Sequence, residues 1–139
     1  MATYQLEVSG QFNATYEYPF VTNLSITNCA EPLKRAMVAG TAADVLLFEK
    51  STTNETTVLI LNRSTTNHAR IRVAETGGAT VDFDLPPSRM LMVPSSGISV
   101  STNEGAFSAF EDWDKIEARG IGGDAEVEIL VIEQQTPTS

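Results

Sequence analysis

The chain has 139 residues, of which 42% are hydrophobic and 19% charged, and it carries a formal net charge of −9. That length suits one domain able to bury a core without metals or disulfides, and the single cysteine, Cys29, cannot close an internal disulfide. Only 9 Lys and Arg stand against 18 acidic residues, which argues against wrapping nucleic acid, and no apolar run reaches the roughly 20 residues that span a bilayer.

In chain order, the opening "MATYQLEVSG" has neither a basic nor an apolar leader region, so synthesis in the cytoplasm is expected. Thr3 to Ser9 alternates Tyr4, Leu6 and Val8, and Phe20 to Thr27 carries Leu24 and Ile26, the two-residue period of half-buried strands. The segment "EPLKRAMVAG" breaks that period. Pro32 at a first helical position, good helix formers after it and Gly40 as a stop predict about two turns of helix connecting one end of the fold. Strands are then predicted over Asp44 to Glu49, Thr56 to Asn62, His68 to Ala74, Thr80 to Leu85, Arg89 to Val93, Gly97 to Ser101, Asp114 to Arg119 and Ala125 to Glu133. Two of them, "VLIL" and "EILVIE", are nearly continuous in apolar residues and should be central strands covered on both sides. Residues 1–139 form a single β domain in this reading, at strand spacings suited to a sandwich or barrel.

The stretch "HARIRVAETGGATVDFDL" is the most informative. If its halves pair antiparallel about Gly77, Arg72 faces Asp82 and Arg70 faces Asp84, while Ile71 faces Phe83 and Val73 faces Val81. One register then buries four apolar side chains and neutralises four charges, and a slip by one residue would bury the charges instead. Gly77 and Gly78 would supply the positive φ of a short hairpin loop. The charges therefore read as devices for register rather than as an anion or metal site.

No catalytic, cofactor or metal residue can be nominated, so the chain is not read as an enzyme. The one histidine, His68, has no G-x-S-x-G elbow to serve, and one Cys and one His cannot close a zinc site. "GIGGDAE" lacks the spacing of a dinucleotide fingerprint and reads as a turn, while "EDWDKIE" lacks the third ligand and closing glutamate of a calcium loop. Half of the acidic residues fall between Glu104 and Glu133, so any partner surface should be neutral or basic. Four N-x-[ST] sequons, at Asn13, Asn23, Asn54 and Asn62, are what a Thr- and Ser-rich β chain contains by composition. Aromatic clusters at "TYEYPF" and "FSAFEDW" nominate Tyr16, Tyr18, Phe107, Phe110 and Trp113 as protein-interface candidates.

From Val58 onward, the apolar strand ending in Asn62, the proline-turn strand "DLPPSRMLMVP" and the closing pair "IEARG" and "AEVEILVIE" resemble small jelly-roll virion proteins of tailed bacteriophages, especially capsid decoration (cement) proteins. The resemblance covers the C-terminal part of the chain and rests on strand and turn patterns. It implies an all-β, jelly-roll-like antiparallel β-sandwich, here with the one short helical connection. It also implies a homotrimer on the outer surface of a virion, bound to the major capsid protein and stabilising the shell, with no cofactor, nucleic acid or membrane. The alternative is a receptor- or glycan-binding module of a phage tail or adhesin, with Trp113, Tyr16 and Tyr18 stacking on sugar rings.

Overall fold

The structure is a computed structural model that describes residues 2–12, 16–29, 31–51, 55–75, 78–95, 97–98 and 110–134. Among these residues every regular element is a strand: β1 (Ala2–Phe12), β2 (Tyr16–Cys29), β3 (Leu33–Ala39), β4 (Val45–Glu49), β5 (Thr56–Asn62), β6 (His68–Ala74), β7 (Thr80–Leu85), β8 (Met90–Val93), β9 (Gly97–Ile98), β10 (Glu111–Asp112), β11 (Lys115–Ile121) and β12 (Ala125–Glu133). Two antiparallel four-stranded sheets, ordered β4-β11-β6-β7 and β3-β12-β5-β8, face each other as a sandwich. Two further two-stranded pairs, the long β1 with β2 and the short β9 with β10, are not hydrogen-bonded into these sheets.

The pairings are nested. β6 pairs with β7, β5 with β8, β4 with β11 and β3 with β12, so the chain from Leu33 behaves as one long hairpin whose tip is β6–β7. Rolling that hairpin so that successive pairs join alternate sheets gives a jelly roll. β11 also pairs with β6, and β12 with β5, which closes the two sheets. The order confirms the all-β sandwich and makes β5 and β12 central, as their apolar runs predicted.

The tip of the roll carries the observed register Arg70↔Asp84, Ile71↔Phe83, Arg72↔Asp82 and Val73↔Val81, the pairing that alternating charge demanded. Burial is less complete than expected: Ile71 and Val73 enter the core, but Phe83 is 39% exposed because β7 is an edge strand. Gly77 lies outside the described residues; at the base of the loop the Glu75 backbone N–H donates to Ala79 O at 3.1 Å and its carboxylate accepts from Ala79 N at 2.7 Å.

The predicted helix is absent: Leu33–Ala39 is β3. Seven residues of β3 stay in register with β12, from Ala39↔Ala125 to Leu33↔Val131. Helix propensities differ by only some tenths of a kcal/mol per residue, so a ladder that satisfies the backbone and seats Ala39 in the core outweighs them. Gly40, expected as a helix stop, accepts from Gly120 N at 2.9 Å where β3 ends. Gly120 itself is obligatory, since a Cβ there would lie 2.3 Å from Gly123 O and 2.6 Å from Ala39 O. The "GIGGDAE" glycines do form a turn, with Gly122 at φ 80°.

Inward-facing Val58, Ile60, Val127, Ile129 and Val131 meet Leu47, Ala69, Ile71, Val73, Ile116 and Ala118 in one cluster. Asn62, at the end of β5, is fully buried and fully engaged. Its Nδ2 donates to Asn67 O at 2.9 Å and Leu85 O at 3.0 Å, and its Oδ1 accepts from Ser64 N at 3.0 Å. It ties β5 to the ends of β7 and of the 63–67 loop, and its burial removes it as a glycosylation acceptor.

Candidate functional site

The aromatic residues nominated from sequence do not gather into one site. Phe107 lies outside the described residues. Tyr16 and Tyr18 occupy register positions opposite Phe12 and Gly10 in the β1–β2 pair. Phe110 is 68% exposed just before β10. Trp113 is corrected by its position: at 1% exposure it belongs to the core, with Nε1 donating to Pro94 O at 3.0 Å and Phe48 edge-on at 6.4 Å between ring centroids. Lys50 lies over the indole, its Nζ 3.9 Å from the ring centroid and 2.9 Å from Asp112. An indole buried to this extent and bonded at its N–H presents no face on which a sugar could stack.

The outer face of β4-β11-β6-β7 is a lattice of ion pairs. Asp44, just before β4, lies 2.6 Å from Arg70, 3.3 Å from Arg119 and 3.7 Å from Arg72. Arg72 reaches the other way to Asp82 through two parallel bonds, Nε to Oδ1 at 2.7 Å and Nη2 to Oδ2 at 2.9 Å. Arg70 therefore does not bond Asp84, as cross-strand register alone suggested; Asp84 is taken by His68 Nδ1 at 2.8 Å. The bidentate bond from Arg72 holds the Asp82 carboxyl below the usual carboxylate range, and its effect exceeds the opposing pull of partial burial. Asp82 in turn raises the pKa of the Arg72 guanidinium, which stays charged at any working pH. Lys115 and Glu117 complete the face at 3.0 Å. Two buried donors of this lattice, Arg70 Nε and Arg119 Nε, make no hydrogen bond.

The outer face of β3-β12-β5-β8 differs. Leu59 stands beside Leu130 and Met92, and Leu61 beside Glu128 and Met90, in successive rows across β12, β5 and β8. Leu59, Leu61, Met90, Glu128 and Leu130 line a shallow groove of about 150 Å³, with Met90 64% and Met92 44% exposed. Ion pairs stand at its rim: Glu128 bonds Arg63 at 2.6 Å and Lys34 at 3.1 Å, and these hold its pKa below the ordinary glutamate value, Arg63 first. The expectation that β5 and β12 are covered on both sides is met on the inner side, while on the outer side Leu59, Leu61 and Leu130 remain only half-buried. The signal for this stripe was present in the sequence, because "RMLMV" and "EILVIE" do not alternate as one-sided strands should.

Along the free edge of β7 a wider groove, about 530 Å³, is lined by His68, Arg70, Asp82, Phe83, Asp84 and Ile121. Its charged members are already paired, His68 with Asp84, Arg70 with Asp44 and Asp82 with Arg72. Among the described residues, no three His, Cys, Asp or Glu side chains are placed to hold a metal ion, and no helix is long and apolar enough to cross a membrane. The acidic C-terminal third draws cations from earlier in the chain, Lys34 and Arg63 to Glu128 and Lys50 to Asp112.

No protein-family model and no curated protein matches the chain. Among solved structures of similar shape is one from Bacillus, described as endospore appendages that form a novel family of disulfide-linked pili. It aligns over 78% of this chain and 90% of that chain, at 9% identity and a TM-score of 0.48. That similarity is too loose to carry function from one chain to the other.

Proposed function

We propose that the chain is a structural subunit that works through surface contacts rather than catalysis. Within that class we read it as a capsid decoration protein, a homotrimer seated on the major capsid protein at the outer surface of a tailed-phage shell. One observation carries the reading: Asp44, Arg70, Arg72, Arg119 and Asp82 are engaged with one another on the outer face of one sheet, whereas a stripe with Met90 and Met92 exposed is left on the outer face of the other. Ion pairs set register and solubility, and apolar faces make contacts. A subunit of this kind raises the cost of separating its neighbours through many weak contacts repeated over a symmetric shell. The net charge of −9 suits a neutral or basic docking surface.

The glycan-binding alternative loses its strongest candidate with the burial of Trp113. The decisive experiment is heat or osmotic challenge of particles with and without this protein, followed by add-back. Survival restored at saturating, symmetric occupancy is the expected result. Unchanged survival and no add-back binding would remove the shell reading, and filaments formed by the purified chain alone would replace it.

A further inference from the structure

The β1–β2 ribbon is the region for which the jelly roll has no use. Among the described residues β1 and β2 pair with each other and with neither sheet of the sandwich. Their register sets Tyr4, Leu6 and Val8 opposite Ile26, Leu24 and Thr22, and sets Gln5 and Glu7 opposite Ser25 and Asn23. Past the register shift between Val8 and Gly10, Phe12 stands opposite Tyr16 and Gln11 opposite Glu17. Because residues two apart in a strand share a side, apolar positions collect on one side of the ribbon and polar positions on the other. A two-stranded ribbon is marginal in water by itself, so this pattern calls for an apolar sheet to lie on.

Lengths decide whose sheet that is. β2 has 14 residues and spans about 46 Å at ~3.3 Å per residue, whereas β12, with 9 residues, spans about 30 Å. Folded back on its own sheet, the ribbon would therefore leave about 16 Å of its length uncovered, length that a neighbouring copy can take. It is joined to β3 only through residues 30–32, including Pro32, and short stiff hinges favour exchange between copies over folding back. The available surface is equally selective. Covering the ion-pair face would strip water from Asp44, Arg70, Arg72 and Asp82, a larger cost than at the apolar stripe, where the charged cluster is Glu128 with Arg63 and Lys34.

We propose that the ribbon of one copy lies, apolar side down, across Leu59, Leu61, Met90, Met92 and Leu130 of a second copy, so that neighbouring subunits are joined by exchanged arms. This deepens the reading of the chain as an assembly subunit and rests on it only in requiring that copies meet. Capsid binding is not needed.

The test uses the full chain with Cys29→Ser, to leave no native thiol. A tagged copy bearing Leu24→Cys is co-expressed with an untagged copy bearing Met92→Cys and then oxidised. A disulfide joining tagged to untagged chains is expected. A disulfide that forms only when both substitutions are in one chain, which stays monomeric, would overturn the proposal, because the ribbon would then cover its own sheet. In parallel, sedimentation of Met92→Glu should show association weakened about tenfold or more, since the new carboxylate would be buried against apolar positions. Emission from Trp113, the chain's one tryptophan, should stay that of a buried indole and so report an intact sandwich. A wild-type chain that sediments as a monomer at every concentration would also overturn it. Cross-linking without any affinity for capsids would refute the shell reading alone.

Discussion

On the outer face of β4-β11-β6-β7, Asp44 sits among Arg70, Arg72 and Arg119, and Asp82 takes the far side of Arg72. On the outer face of β3-β12-β5-β8, Leu59, Leu61, Leu130, Met90 and Met92 fill the corresponding ground, with Glu128, held by Arg63 and Lys34, as the charged residue lining the groove among them. Both sheets share one core, so the contrast owes nothing to how the fold is held together. On the first face the three arginines and Asp44 and Asp82 are already engaged with one another within the chain, although Arg70 Nε and Arg119 Nε are left without a hydrogen bond. The second is a half-buried surface with apolar rows still open, and it is there that a partner gains most by excluding water.

The contrast can be attacked through substitutions, beginning with the largest expected effect. Ile60→Ala, on the inner side of β5, should cost about 2–5 kcal/mol in denaturant unfolding, as cavities in packed cores do. Next comes Asp44→Asn, which leaves three part-buried guanidinium groups without their shared anion and should cost about 1–2 kcal/mol, shrinking as salt is added. A loss below about 0.3 kcal/mol would show that this face is decorative rather than settled. Leu61→Ala, the outward neighbour of Ile60 on the same strand, should cost only about 1 kcal/mol when measured on dissociated chains. Equal losses at Ile60 and Leu61 would mean that the outer side is already covered, and the comparison would fail.

The smallest effect is a pH dependence. The Asp82 carboxyl titrates below its ordinary value in the folded chain, so the unfolded state binds the proton first as pH falls. Its contribution is thus present above the ordinary carboxylate range and is lost as pH drops through that range toward the lower folded value. The stability difference between wild type and Asp82→Asn should be constant above about pH 5 and fade below about pH 4. Since the Asp82 side chain is 40% exposed, that difference should be about 0.5 kcal/mol or less. A difference that instead grew on acidification would reverse the assigned sign.

Much of the fold was legible because two-residue periods survive in isolation. The bounds of Thr56–Asn62, His68–Ala74, Thr80–Leu85 and Ala125–Glu133 coincide with the strands predicted from alternation or from apolar runs. β3 was not legible, since "LKRAMVA" has no alternation and is a strand only through the β12 backbone beside it. For the candidate surface, the aromatic clusters gave mixed guidance. A tryptophan in a loop reads the same whether it points in or out, and Phe48, Lys50 and Pro94, which enclose Trp113, come from distant parts of the chain. The Met90 and Met92 stripe was visible as a lack of alternation, but which of its sides would remain open was not.

What the amino-acid order determined alone is local and pairwise: strand periods, the Gly122 turn, and the one register between β6 and β7 that matches charge to charge and apolar to apolar. What only the folded chain decided is the third neighbour. Asp44 displaces Asp84 as the partner of Arg70, and β12 turns a helix-prone segment into an edge strand. Side-chain alternation specifies which face a residue takes, but nothing within a strand says what will lie beyond that face. That choice falls to contacts between segments far apart in sequence, whose energies exceed local preferences of some tenths of a kcal/mol per residue.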